Sequence, residues 1–303
     1  MTHLLSGLVA ATYTAFNADG SLNLDPIEKH AELLARNGVS GVFVCGSTGE
    51  GVSMTTDERQ RHFQRWCEVS KGWLKLIAHV GHNSIGDAQA LAAHAAKAGA
   101  HAIATVAPSV LRPATLADLV DWCAAVASKA PETPYYYYHI PVLTQVRFNM
   151  VAFSEMARDR IPTFAGIKFT DENLMEFANC VAADGGRNNM LFGRDEVLLS
   201  GLVAGAHGAI GSSFNYSAPI YNRVIAAFEK GDMPTAMREM TRARDSVQIL
   251  LDFGGGPAGK AMLKMCGIDC GPSRLPQRTT PPEKYAALQK RLEEFGWDDI
   301  RCK

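Results

Sequence analysis

The chain has 303 residues, 47% of them apolar, with 30 Lys+Arg against 31 Asp+Glu and no long run of either sign. That length and apolar content suit one α/β barrel or two ordinary domains, while the near-neutral charge gives no footprint for nucleic acid or an anionic membrane surface, so a small-molecule partner is expected. No stretch approaches the roughly 20 apolar residues of a membrane span, and Met1 to Gly7 lacks the charged start and long apolar run of a signal peptide, which makes the cytoplasm the expected compartment.

Apolar runs of strand length alternate with amphipathic helical stretches from the start. In chain order the strand runs are Leu8 to Phe16, Gly41 to Cys45, Lys75 to Val80, Ala102 to Ala107, Pro134 to Ile140, Phe164 to Thr170, Met190 to Phe192 and Gly208 to Ser212. Helical spacing fills the gaps at Asp25 to Asn37, Thr55 to Ser70, Ile85 to Ala98, Thr115 to Ala130, Met150 to Asp159, Glu172 to Ala183 and Val197 to Ala204, then continues at Ser217 to Lys230, Thr235 to Leu251, Gly259 to Cys266 and Pro282 to Phe295. Eight such strands fit a closed (β/α)8 TIM barrel over residues 1–230 better than an open doubly wound sheet, and no Gly-x-Gly-x-x-Gly follows the first strand. Residues 231–303 are expected to form a helical extension packed on the barrel.

The seven cysteines are odd in number and scattered, which reads as reduced thiols. Cys266 and Cys270 make a single C-x-x-x-C with no second pair, and the nine histidines are dispersed, so no metal site is expected.

Catalytic groups of such barrels sit at the C-terminal ends of the strands. Near the end of the sixth strand, Lys168 interrupts the run Phe164-Ala165-Gly166-Ile167-Lys168-Phe169. A buried ammonium loses its proton readily and becomes a nucleophilic amine, the first requirement of a Schiff-base enzyme. A lysine whose stem lies on apolar surface while its head reaches water satisfies the same pattern equally well. The fifth strand ends in Tyr135-Tyr136-Tyr137-Tyr138-His139, where Tyr138 on an inward face would neighbour Lys168 and the other three tyrosines read as core filling.

The second strand empties into Gly46-Ser47-Thr48-Gly49-Glu50-Gly51, a turn whose backbone N–H groups and two hydroxyls suit an anion, or which simply caps the next helix. Gly193-Arg194-Asp195-Glu196 and Gly211-Ser212-Ser213 place acids and hydroxyls at the mouth, suited to a polyol; Asp195 and Glu196 serve equally well as acids at a helix N-terminus.

Taken together, these segments make the chain resemble the N-acetylneuraminate lyase and dihydrodipicolinate synthase family of class I aldolases over nearly its whole length. The resemblance is carried by Gly7-Leu8-Val9-Ala10-Ala11-Thr12, the Gly46 to Glu50 turn, Tyr138-His139-Ile140-Pro141, Gly166-Ile167-Lys168 and Gly205-Ala206-His207-Gly208-Ala209-Ile210-Gly211-Ser212. It implies Lys168 as the Schiff-base lysine, Tyr138 as the proton-transfer tyrosine, Ser47 and Thr48 as holders of a pyruvate carboxylate, and Thr170, Gly193, Asp195, Glu196 and Ser212 as holders of a sugar chain. It also implies a homotetramer that uses no cofactor beyond the covalent imine.

Where the synthases carry a carboxylate-binding arginine, this chain has Leu143, which resembles the sialic acid lyase branch and implies reversible cleavage of N-acetylneuraminate to pyruvate and N-acetylmannosamine. The alternatives are an aldolase for another 2-keto-3-deoxy sugar acid, a synthase-like enzyme, and a sugar-acid binding protein without catalysis. Three departures stand out: Ala15 in place of proline, Gln145 in place of a glycine and expected near the pocket wall, and Ser109-Val110-Leu111 in place of an aromatic pair.

Overall fold

A computed structural model describes residues 5–70 and 72–303. Its eight parallel strands are β1 (Gly7–Ala11), β2 (Gly41–Val44), β3 (Lys75–His79), β4 (Ala102–Thr105), β5 (Tyr135–His139), β6 (Phe164–Phe169), β7 (Asn189–Phe192) and β8 (Gly208–Gly211). They close into a barrel in chain order, with β1 pairing both β8 and β2. Around it run α1 (Ile27–Arg36), α2 (Thr56–Ser70), α3 (Ile85–Lys97), α4 (Leu116–Ala127), α5 (Met150–Arg160), α6 (Leu174–Ala182), α7 (Leu198–Val203) and α8 (Phe214–Glu229), followed by α9 (Met233–Asp252), α10 (Gly256–Met265) and α11 (Pro282–Phe295). The architecture is a TIM barrel with additional C-terminal helices.

The strands are buried on both faces, which is why they read as continuous apolar runs rather than alternating ones. Two packed layers result. Val9, Phe43, Ile77, Tyr136, Tyr138, Leu191 and Ile210 fill the barrel interior, whereas Val42, Val44, Tyr135, Tyr137 and Ile167 pack outward against the helices. The four-tyrosine strand therefore divides by parity: Tyr136 donates to Asn189 Oδ1 at 2.6 Å inside the barrel, and Tyr137 stacks on Phe153 of α5 with ring centroids 4.5 Å apart.

Gly166 explains how β6 and β7 approach so closely, since a β-carbon there would lie 2.1 Å from the Asn189 carbonyl oxygen. Helix starts follow local chemistry: Thr115 and Asp118 form a reciprocal capping box at α4, and Ser84 caps α3.

The first strand is shorter than expected. The ladder ends at Ala11, and Ala15–Phe16 pairs antiparallel with Leu22–Asn23 instead of extending β1. The cause is tertiary: the Thr14 hydroxyl donates to the Gly49 carbonyl at 2.6 Å and the Phe16 N–H to the Cys270 carbonyl at 3.0 Å, so the chain leaves the barrel to close the Gly46–Gly51 turn and meet the C-terminal segment. A short helix at Pro141–Thr144 also escaped the sequence pattern, being a single turn. Among the described residues no helix is long and apolar enough to cross a membrane.

Candidate active site

Lys168 and Tyr138 are direct register partners on β6 and β5, and both point into the barrel. Nζ of Lys168 lies 3.8 Å from the centroid of the Tyr138 ring and 4.1 Å from that of Phe43. Lys168 is buried to 4% exposure, so the snorkelling alternative does not apply. Burial pushes its amine down to about 7, while Asp195 pulls through space in the opposite direction. The aromatic faces favour an ammonium, but desolvation dominates because no carboxylate among the described residues reaches ion-pair distance of Nζ.

Tyr138 is pushed the other way, up to about 12, by burial; the Ser47 and Thr170 hydroxyls beside it draw it back, and Asp195 adds to the rise. A phenol that keeps its proton and an amine that readily gives one up thus face each other across one strand spacing.

The nine residues singled out at the strand ends converge. Ser47, Thr48, Tyr138, Lys168, Thr170, Gly193, Asp195, Glu196 and Ser212 line a single cavity of about 260 Å³ at the C-terminal end of the barrel. Ser47 is exposed and Thr48 half-buried on the turn after β2. Behind them the turn is held rigidly: Glu50, in the left-handed conformation at φ +53°, accepts from Lys260 Nζ at 2.6 Å and from the Arg274 N–H at 2.8 Å.

Asp195 follows β7 and reaches across to the end of β8, where its Oδ2 accepts from the Ser213 N–H at 2.7 Å and the Ser213 hydroxyl at 2.6 Å. A β-carbon at Gly211 would lie 2.5 Å from the carboxyl carbon, so that glycine makes room for the acid. Asp195 is therefore a structural tie as well as a lining group. Burial, then Asp195, raises the Glu196 carboxyl, and Arg194 bridges Glu172 and Glu196.

Sequence reasoning missed part of this cavity. Ala11, Ile140 and Ile210 adjoin residues already identified, and neighbourhood at a strand end was the available signal, while Arg194 and Ser213 belong to the mouth turns named from the sequence without a role of their own. Val247, Leu250 and Leu251 of α9 form an apolar wall; their i, i+3, i+4 spacing marks one helical face, but nothing local says what that face meets.

Gln145 does not take the expected place. It is exposed, sits at φ +58° after the Pro141–Thr144 turn, and donates from its side chain to the Val142 carbonyl at 3.1 Å, away from the cavity lining. The backbone there requires positive φ, which accounts for glycine at that position in the resemblance. Leu143, 57% exposed, lies on the same short helix. Among the described residues no cluster of three or more His, Cys, Asp or Glu is arranged to hold a metal ion.

Comparison with known proteins agrees with this geometry. N-acetylneuraminate lyase A of Xenopus laevis is 40% identical over 276 residues, covering 90% of this chain and 90% of its own length. N-acetylneuraminate lyase of Gallus gallus is 39% identical over 300 residues, covering 97% of each. The solved structure of Proteus mirabilis N-acetylneuraminate lyase superimposes with a TM-score of 0.94 at 36% identity, covering 97% of this chain and 99% of that one. The family model described as "Dihydrodipicolinate synthetase family" matches residues 4–295, and with barrel, strand-end lysine and full-length relatives in agreement, the chain belongs to that family.

Proposed function

We propose that this protein is a Schiff-base lyase that cleaves N-acetylneuraminate reversibly to pyruvate and N-acetylmannosamine, with Lys168 as the imine-forming amine and Tyr138 as the proton-transfer group. The observation that carries this reading is the condition of Lys168: an amine buried without a partner anion among the described residues, brought down to about 7, laid on the Tyr138 ring at the catalytic end of a TIM barrel.

The chemistry follows. Neutral Nζ adds to the C2 ketone of the open-chain sugar acid, water leaves, and the protonated imine draws in the electrons of the C3–C4 bond. As that bond breaks, the C4 hydroxyl must lose its proton. Tyr138, kept a phenol by burial, accepts that proton while passing its own to the substrate carboxylate. The resulting enamine takes a proton at C3 and hydrolyses, which releases pyruvate and restores the amine.

Ser47 and Thr48 hold the carboxylate through hydroxyls and through N–H groups that no backbone carbonyl accepts among the described residues. Thr170, Gly193, Asp195, Glu196 and Ser212 receive the hydroxylated chain. The iminium supplies the electron sink, so the reaction calls on no metal or organic cofactor.

In this reading residues 1–230 are the barrel and 231–303 the extension, which contributes the α9 wall of the cavity. It also takes the protein to be a cytoplasmic homotetramer. Seven cysteines without disulfide partners support the compartment, and the exposed Val110, Leu111, Val203 and Met237 support an assembly.

Pyruvate with borohydride should add a reduced pyruvyl mass to Lys168. A coupled assay should detect pyruvate release from N-acetylneuraminate faster than from its unacetylated analogue; equal or faster cleavage of the unacetylated acid would overturn the substrate assignment, and an unmodified Lys168 in active protein would overturn the mechanism.

A further inference from the structure

Arg59, on α2, is 2% exposed, and its guanidinium rests on neutral acceptors: Nη1 donates to the Gly81 carbonyl at 3.0 Å and Nη2 to the His79 carbonyl at 2.6 Å. Its Nε finds no acceptor among the described residues. The carboxylates nearby are engaged elsewhere. Asp57 pairs with Arg61, Glu58 with Arg274, and Asp87, whose field reaches Arg59, accepts from Thr56 at 2.8 Å. A buried cation without its own anion is strongly unfavourable.

The contacts of Arg59 lead to the carboxylate turn. Nη2 lies 3.4 Å from Nδ1 of His79, and Nδ1 lies 3.0 Å from the carbonyl oxygen of Cys45. Since that carbonyl only accepts, Nδ1 carries the imidazole proton. The Cys45 peptide opens the Gly46-Ser47-Thr48 turn, with Cys45 itself at φ +62°.

The turn is packed tightly over the same carbonyl, for a β-carbon at Gly51 would lie 2.0 Å from it. The cavity in front holds Lys168, the amine to be trapped, together with Asp195 and Glu196, and its arginine, Arg194, is already bridged to Glu172 and Glu196. An entering carboxylate meets hydroxyls and N–H groups there but no unpaired arginine.

We propose that Arg59, acting from behind the turn through His79, supplies the positive charge that makes the Ser47-Thr48 subsite select a carboxylate over a neutral group of the same shape. The inference rests on the reading of that turn as the pyruvate subsite. A fixed charge in a dry interior acts over several ångströms with little screening, so its field reaches the Ser47 and Thr48 donors, and the peptide polarised at the Cys45 oxygen presents a more positive Gly46 N–H at the start of the turn. Arg59 is thus a positioning residue for charge, touching no substrate.

The test compares pyruvate with methyl pyruvate, its neutral ester, by the concentration giving half-maximal borohydride trapping on Lys168, read by mass spectrometry. Wild type should take pyruvate at about tenfold or more lower concentration than the ester. Arg59→Lys should keep most of that preference, and Arg59→Met should lose it by weakening pyruvate alone. Leu91 is 4% exposed and lines the same small internal space as Arg59. Leu91→Glu gives the guanidinium an anion of its own with its hydrogen bonds left in place, so it should erase the preference as Arg59→Met does, and it decides the matter if Arg59→Met fails to fold. A preference unchanged in Leu91→Glu, both ligands weakened equally by Arg59→Met, or equal losses in the Lys and Met variants would overturn the proposal by making Arg59 purely structural. Absence of trapping in wild type would instead overturn the imine reading itself.

Discussion

Lys168 and Lys260 are buried almost equally, 4% and 5% exposed, and each ammonium lies over an aromatic face. Their surroundings differ in the polar partners of the ammonium. Lys260 Nζ has Glu50 at 2.6 Å and the Pro272 carbonyl at 2.9 Å, whereas Lys168 has neither an anion nor a carbonyl acceptor in reach among the described residues. In the proposed mechanism, burial alone therefore does not make a lysine reactive. The missing anion does, because desolvation then acts without compensation. The paired lysine also bears on the same cavity, since the Glu50 it binds lies three residues beyond Ser47 and fixes the rear of the Gly46–Gly51 turn.

The sharpest way to test this contrast is to make the same substitution at both positions. Lys168→Met should abolish pyruvate release, a loss of about 10⁴-fold or more, and end borohydride labelling, while urea unfolding shows the protein at least as stable as wild type because a buried amine has been replaced by an apolar chain. Labelling that persists elsewhere on the chain with turnover intact would break the comparison. Tyr138→Phe should lower kcat by about 10²–10⁴-fold yet leave imine trapping intact, because the phenol acts after the imine forms; loss of trapping would place Tyr138 at the first step instead. Lys260→Met should cost about 3–5 kcal/mol in urea unfolding, since it leaves Glu50 buried without its cation, while pyruvate still labels Lys168 in the folded protein. A Lys260→Met protein as stable as wild type would remove the distinction between the two lysines.

Smaller effects follow from pH. In the proposed mechanism the neutral amine is the nucleophile, so the rate of imine trapping should rise through about pH 7 and level above it. The same depression links to folding. Between about 7 and the ordinary lysine value of 10.5 the unfolded chain binds more protons than the native one, so stability contributed by Lys168 rises with pH across that window and is lost as pH falls through it. Lys168→Met should flatten that slope in urea titrations at successive pH values. Smallest of all, Gln145→Gly should change stability by about 1 kcal/mol or less, as relief of positive φ offsets glycine's extra entropy, with kcat/KM unchanged; a shift of tenfold would return Gln145 to the pocket wall.

Much of the fold was legible because its signals are local. A TIM barrel repeats one unit, and the recurring sequence of buried strand, turn and amphipathic helix announced all eight units. The candidate site was legible for a related reason: strand ends meet at one mouth, so Ser47, Tyr138, Lys168 and Asp195 needed only their strand positions to be brought together. Where reading by strand position failed, the determining contact was remote. Thr12 to Phe16 looked like more strand until the bonds to Gly49 and Cys270 were seen. Gln145 looked like pocket wall until the turn's positive φ carried it outward.

The sequence by itself determined the alternation of strands and helices, the parity within each strand that groups Tyr138 with Tyr136 and Lys168 with Gly166 and Thr170, and the placement of polar turns at the barrel mouth, because each depends on residues within a few positions of one another. Only the tertiary structure decided which buried cation has a partner. Lys260 meets an acid 210 positions earlier in the chain, Lys168 meets two aromatic rings, and Arg59 meets the Gly81 and His79 carbonyls and the His79 ring. The cost of burying a charge depends on what surrounds it in space, and sequence spacing carries no record of that.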